Sequence, residues 1–222
     1  MTLDNYYLHA IEPYGERNPF DIELALDKLE KVISSGYILS RRQRGDTKKS
    51  IGGWNGIDYI SLCDYSKRNN PPYNNDERFK DYTAYNNYIK DSVSLIIPKR
   101  NIKPVTPELK PPVAYDWDRV KEMVVLGNHP TKRYSDYPDE IQVKDKINLK
   151  RLVGVTVPID KLIDERCNYV YKTEEILKFL KDVKEILEYY HKNDIVYDLL
   201  TMIEIKDESD LEKVFTKLKD IN

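Results

Sequence analysis

Four short stretches hold side chains able to do chemistry. A lone histidine, His9, sits among apolar residues in YYLHAI. Three arginines, Arg41, Arg42 and Arg44, fall together in a polar stretch. Tyr59 and Ser61, with Tyr65 just beyond, occupy GIDYISLCDY, and Glu140 opens EIQV after a turn-rich loop. A carboxylate can stabilise positive charge that develops at a reacting centre. A neutral imidazole can donate or accept a hydrogen bond. A guanidinium can meet a phosphate in a charge-assisted pair, and an aromatic ring can hold a planar group by stacking. Each stretch also has a plain alternative: a packed core histidine, a solvated arginine turn, ordinary strand residues, and a glutamate on a solvated strand face.

Several chemistries are disfavoured by what the sequence lacks. It has no Walker-type phosphate loop, no GxGxxG, no HExxH, no CxxC and no GxSxG elbow. The histidines at 9, 129 and 191 are too scattered for a zinc set. Kinase, dehydrogenase, metalloprotease and serine-hydrolase chemistries therefore fit poorly.

The elements that must position these residues follow from periodicity. Tyr6 to Ile11 reads as a short strand carrying His9. A helix is predicted next, with Asn18 as cap, Pro19 in its first position and Asp21 in its first turn. Its apolar stripe is Ile22, Ala25, Leu26, Leu29, Val32 and Ile33, and Gly36 ends it. Ile57 to Cys63 and Ser92 to Ile97 are further strands, the second stopped by Pro98. The intervening segment from Ser66 to Tyr88 is long, tyrosine- and asparagine-rich, and reads as a binding loop or a plain surface loop. Met123 to Leu126 is a strand or a helix end. Glu140 to Val143 and Leu152 to Val157 read as a hairpin with Asp145 and Lys146 near its turn. Thr173 to Tyr190 is a long amphipathic helix buried through Ile176, Leu180, Val183, Leu187 and Tyr190. A last helix is expected to start at Ser209, with Glu212 completing a capping box.

At 222 residues the chain fits one domain, or one domain with a small appendage. The expected fold class is α+β, with split central β-sheets between an N-terminal helix and a long C-terminal helix. Residues 1–160 form the main unit and residues 161–222 a helical extension packed on it. Charged residues make up 33% and the net charge is −2, so no global field draws nucleic acid or anionic membrane. Eighteen tyrosines against four phenylalanines allow a core whose rings carry hydroxyls. Two cysteines, Cys63 and Cys167, read as reduced thiols and not as a disulfide framework. No apolar run reaches membrane-spanning length and the first residues are no signal peptide, so a cytoplasmic protein is expected, with delivery into another cell left open.

The order of these pieces resembles the ADP-ribosyltransferase superfamily, which includes the diphtheria-toxin-like and poly(ADP-ribose)-polymerase-like enzymes and the DarT toxins. The match lies in LHAI, in SSGYILS, in GIDYISLCD, and in EIQV followed by INLKRLVGVTV, and it spans roughly Tyr6 to Pro158. The resemblance implies transfer of ADP-ribose from NAD to a protein or nucleic acid. Glu140 would stabilise the oxocarbenium-like state at the ribose. His9 would hold a ribose hydroxyl. Tyr59, Ser61 or Tyr65 would hold nicotinamide, and Arg42 or Arg44 the diphosphate. The same likeness implies a toxin, with a neutralising partner protein as one possible partner, while the high lysine, tyrosine and asparagine content points to an AT-rich bacterial or phage genome. Pro138 stands where many members carry Gln or Glu two residues before the glutamate, which leaves the acceptor open. The alternative is a non-catalytic binding factor acting through tyrosines such as Tyr73, Tyr82, Tyr85 and Tyr88. A weaker third option is an RNA 2′-phosphate transferase on the same fold.

Overall fold

The computed structural model describes residues 3–11, 20–40, 43–44, 60–67, 89–102, 140–144, 146–164 and 169–221. Two strands set its centre because they are buried on both faces. β4 (Ser94–Pro98) and β7 (Gly154–Val157) are buried at every position, the pattern of strands covered on both sides. β1 (Tyr6–Ala10) pairs antiparallel with β4 on one side and with β3 (Ile60–Asp64) on the other. β3 then pairs with β5 (Glu140–Val143), and β4 with β7. β8 (Val196–Asp198) joins β7 in parallel. The result is a mixed six-stranded sheet of order β5-β3-β1-β4-β7-β8, with a separate two-stranded sheet formed by β2 (Tyr37–Ile38) and β6 (Ile147–Asn148). The chain is thus α+β, and among the described residues no helix is long and apolar enough to cross a membrane.

Alternation along the strands divides the core in two. Tyr7, Leu62, Leu95, Ile97, Val155 and Val157 belong to the larger cluster. Leu8, Cys63, Ile96 and Tyr197 belong to the smaller one on the other face. Helix α1 (Ile22–Ser35) buries Ala25, Leu29 and Ile33 in the larger cluster. α2 (Ile159–Leu162) follows β7 directly. α3 (Thr173–Tyr189) adds Ile176, Phe179, Leu180, Val183 and Leu187, and α4 (Glu208–Ile221) adds Leu211, Val214 and Leu218. Phe20 meets Phe179 edge to face at 5.9 Å between ring centroids, and the Tyr171 hydroxyl donates to the Phe20 carbonyl at 2.9 Å. Residues 161–222 therefore supply a sheet strand and two helices to the same core as α1.

Several expectations are corrected. Asp21 is the cap of α1, its carboxylate accepting from Leu24 N–H at 2.9 Å; Asn18 and Pro19 lie outside the described residues. Glu140–Val143 and Gly154–Val157 are no hairpin: three strands separate them in the sheet. The chain between them contains β6, which pairs with β2 and not with either of them. β4 does stop at Pro98, which is itself the last residue of the strand and pairs with Tyr6 at the strand end, where a missing N–H costs least. α4 starts at Glu208 and not at Ser209. Asp207 caps it, accepting from Asp210 N–H at 3.2 Å, while the Ser209 hydroxyl donates to the same carboxylate at 2.8 Å. The Ser66 to Tyr88 loop beyond residue 67, Met123 to Leu126, and Cys167 lie outside the described residues.

Two glycines are required for different reasons. Gly36 ends α1 in the left-handed region at φ 70°, where a Cβ is disfavoured. Its carbonyl accepts from Leu149 N–H at 3.0 Å, tying the end of α1 to the segment after β6. Gly154 opens β7 where the Ile195 backbone passes; a Cβ there would sit inside contact distance of the Ile195 carbonyl oxygen and 3.1 Å from its carbon.

Candidate functional site

His9 is the best-defined member of the set. It lies on β1 opposite Leu95 of β4, its ring partly buried. Nδ1 is 2.9 Å from the Ser61 carbonyl on β3. A carbonyl only accepts, so Nδ1 must carry the proton and Nε2 keeps a lone pair. Burial lowers the imidazole pKa from 6.5 to about 4, the Ser61 bond opposes that shift, and the Arg44 cation nearby adds to it. At neutral pH the ring is therefore uncharged, with one nitrogen committed to the backbone and the other an acceptor. Such a group suits a hydroxyl donor and has no attraction for a phosphate.

Arg44 reaches this neighbourhood through a compact turn. Ser40 N–H donates to the Gln43 side chain at 2.9 Å, Gln43 N–H to the Ser40 hydroxyl at 3.3 Å, and Arg44 N–H to the Ser40 carbonyl at 3.1 Å. Ser61 takes part through its backbone, its own side chain being exposed. Arg42 and Tyr59 lie outside the described residues. Tyr65 sits elsewhere: it is buried in the smaller core, and its hydroxyl donates to the Leu199 carbonyl at 3.4 Å. That is the placement of a core tyrosine on the face away from His9.

Glu140 is the first residue of β5, and its backbone pairs with Cys63. Cys63 in turn pairs with Leu8, the residue before His9. Strand order thus brings the His9, Ser61 and Glu140 segments side by side. The register, however, puts Glu140 in the row of Cys63 and Leu8, one row from His9. Adjacent rows of a regular strand belong to opposite faces, so the pairing alone does not unite His9 and Glu140 in one cleft.

A second polar cluster lies two rows along β1 from His9, on the same face. Asp64 is 5% exposed and accepts from the Ser66 hydroxyl at 2.6 Å and from Lys99 Nζ at 2.5 Å. Lys99 also donates to Ser66 Oγ at 3.1 Å and lies 5.3 Å from the centre of the Tyr7 ring. The Tyr7 phenol is pushed up by burial and by the Asp64 charge. This cluster locks the ends of β1, β3 and β4 together, and its carboxylate is neutralised by its own lysine. No spacing in the sequence announces it, since Asp64 and Lys99 are 35 residues apart. Among the described residues no group of three or more His, Cys, Asp or Glu is placed to hold a metal ion. Comparison with known proteins yields no family model, no curated protein and no solved structure that matches this chain.

Proposed function

We propose that the chain is an NAD-consuming ADP-ribosyltransferase with an ADP-ribosyltransferase-like fold, acting on a protein or nucleic-acid acceptor. The observation that carries this is the strand order β5-β3-β1, which sets side by side three segments far apart in sequence, those of Glu140, Ser61 and His9. The neutral His9, with an acceptor nitrogen left over, supports a role in holding a ribose hydroxyl. Arg44 beside it supports a role toward the diphosphate. In the reaction the ribose C1′–nitrogen bond breaks, nicotinamide leaves with the electron pair, and the acceptor atom bonds to C1′ and gives up its proton. Glu140 would stabilise the cationic ribose as that bond opens.

The test is nicotinamide release from NAD in the presence of cell lysate, measured by mass spectrometry. Glu140→Gln is expected to lower it by about 100-fold or more while the far-ultraviolet circular dichroism is unchanged. No turnover by the wild-type chain, or full turnover by Glu140→Gln, would sink the proposal.

The register favours a second reading, a non-catalytic factor that binds a protein partner, because it sets Glu140 and His9 in rows of opposite faces. Tyr169 and Tyr189 are exposed at 48% and 76%, and tyrosine favours interfaces; Tyr73, Tyr82, Tyr85 and Tyr88 lie outside the described residues. A stable partner recovered by pull-down, with NAD left intact, would select it.

A further inference from the structure

Apolar surface is concentrated where α4 meets the start of α3. A groove of about 480 Å³ lies there, with Tyr171 and Ile176 contributed from the α3 side and Phe215 and Leu218 from α4. Tyr169 is exposed at 48%, Val170 at 42% and Ile221 at 55%, all within the same two segments. The Tyr169 ring meets Tyr171 edge to face at 4.7 Å between centroids, which sets it at the rim of the groove. Among the described residues the other exposed large apolar side chains are Leu24 and Tyr189 alone. Clustered apolar exposure of this kind marks a contact surface.

The charges of α4 fall into two sets. Asp210 is held by Lys213 at 2.7 Å, and Lys217 donates to the Thr201 carbonyl at 3.3 Å. Glu212 and Lys219 are exposed and have no charged partner among the described residues. These two share one stripe of the helix with Phe215 and Thr216, at the i, i+3, i+4, i+7 spacing. That stripe borders the groove, since Phe215 and Lys219 both line it.

We propose that this stripe and groove form a two-fold interface between two copies of the chain, with their α4 helices antiparallel. Glu212 and Lys219 lie equally far from the midpoint between Phe215 and Thr216. A two-fold axis through that midpoint therefore brings each Lys219 to the Glu212 of the other copy, and each Phe215 to the other copy's groove. The stripe thus complements itself, which is the reason to assign it a second copy and not an unrelated chain. No strand edge takes part, so the contact differs from strand addition. His9, Arg44 and Glu140 lie in other segments, and the interface rests on no NAD chemistry. One helix pair with a groove buries about 1,200 Å² or less in total, the low end for specific contacts, so the dimer is reversible with a dissociation constant of about 1–100 µM.

Sedimentation velocity of the full chain from about 1 to about 500 µM tests this, by reading the monomer–dimer equilibrium across the expected dissociation constant. Lys219→Glu and Glu212→Lys should each weaken the dimer by about tenfold or more, because each substitution acts twice across the axis. Both side chains are exposed, and the far-ultraviolet circular dichroism should not change; Lys219→Gln and Glu212→Gln are the milder pair should a reversal misfold. An equimolar mixture of the two reversed chains should dimerise again, since one then carries only acid and the other only base at these positions. A wild-type chain monomeric throughout would overturn the proposal and leave the groove to another protein. A dimer indifferent to both reversals, or a mixture that stays monomeric, would overturn it as well. NAD turnover, present or absent, bears on the transferase proposal alone.

Discussion

Replacing His9 by asparagine should flatten part of the acid limb of the stability curve. The asparagine amide can still donate to the Ser61 carbonyl, 2.9 Å from Nδ1 in the wild type, but it cannot titrate. The wild-type imidazole has a folded pKa of about 4 against an ordinary 6.5. The unfolded chain therefore binds the proton more readily, and stability falls as pH drops below 6.5, the loss being complete only below 4. Linkage for a single site gives a loss of about 2 kcal/mol at pH 5 against about 0.2 kcal/mol at pH 7. The ring is only partly buried, so water at its open edge trims the difference between the two pH values to about 1–2 kcal/mol. Asp160 works against it in the same window. Its folded pKa is raised to about 6, mainly by burial, so acidification stabilises the native state through that group. Asp198 is raised by burial as well. Both carboxyls are present in either protein and cancel in the comparison. Urea unfolding at pH 5, 6, 7 and 8 should thus show wild type losing about 1–2 kcal/mol more than His9→Asn between pH 7 and pH 5. Parallel curves, or a His9 resonance titrating near its ordinary value by nitrogen-detected NMR, would refute the neutral, Nδ1-protonated ring.

Three further outcomes follow from the packing. Gly154→Ala should destabilise by about 2–3 kcal/mol or more, because the new methyl meets Ile195 backbone and not a movable side chain; Gly36→Ala should cost nearer 1 kcal/mol, from the left-handed backbone alone, and thermal unfolding distinguishes the two. Asp160→Asn should stabilise the protein by about 1–2 kcal/mol at pH 8 and by nothing at pH 4, since it removes a carboxylate whose ionised form burial penalises; a gain that persists at pH 4 would refute the cause. Thr156→Val should stabilise by about 1 kcal/mol in urea, because the Thr156 hydroxyl is buried without a hydrogen-bond partner, and a loss would point to a bound water in its place.

What the sequence revealed tracks how local the cause is. α1 and α3 were legible because their stripes repeat at helical spacing and Gly36 ends the first in the left-handed region. β4 was legible as an unbroken apolar run, and His9 fell on the strand expected for it. The cap of α1 was misplaced because two suitable residues, Asn18 and Asp21, compete within three positions. The β5–β7 hairpin failed because neighbouring strands usually pair, and nothing local shows that Ile147 and Asn148 belong with Tyr37 and Ile38. β8 is three residues long and carries no period to detect. Within the site, the partnership that fixes the His9 tautomer joins residues 52 apart through a backbone carbonyl, which no side-chain motif encodes. Tyr65 looked like a pocket residue because its type suits one; alternation at the end of β3 sends it to the other core.

The parallel pairing of β7 with β8 has a bearing on how the chain is made. β7 is covered on one side by β4 early in the sequence, but its other edge stays open until residues 196–198 have left the ribosome and docked. Until then a fully buried run, Gly154 to Val157, presents unpaired backbone groups beside exposed valines. An open, apolar edge of that kind invites a second chain to add its own strand. A nascent or truncated molecule ending before β8 is therefore expected to self-associate, and the C-terminal segment acts within the fold as the cover that keeps one copy from joining another.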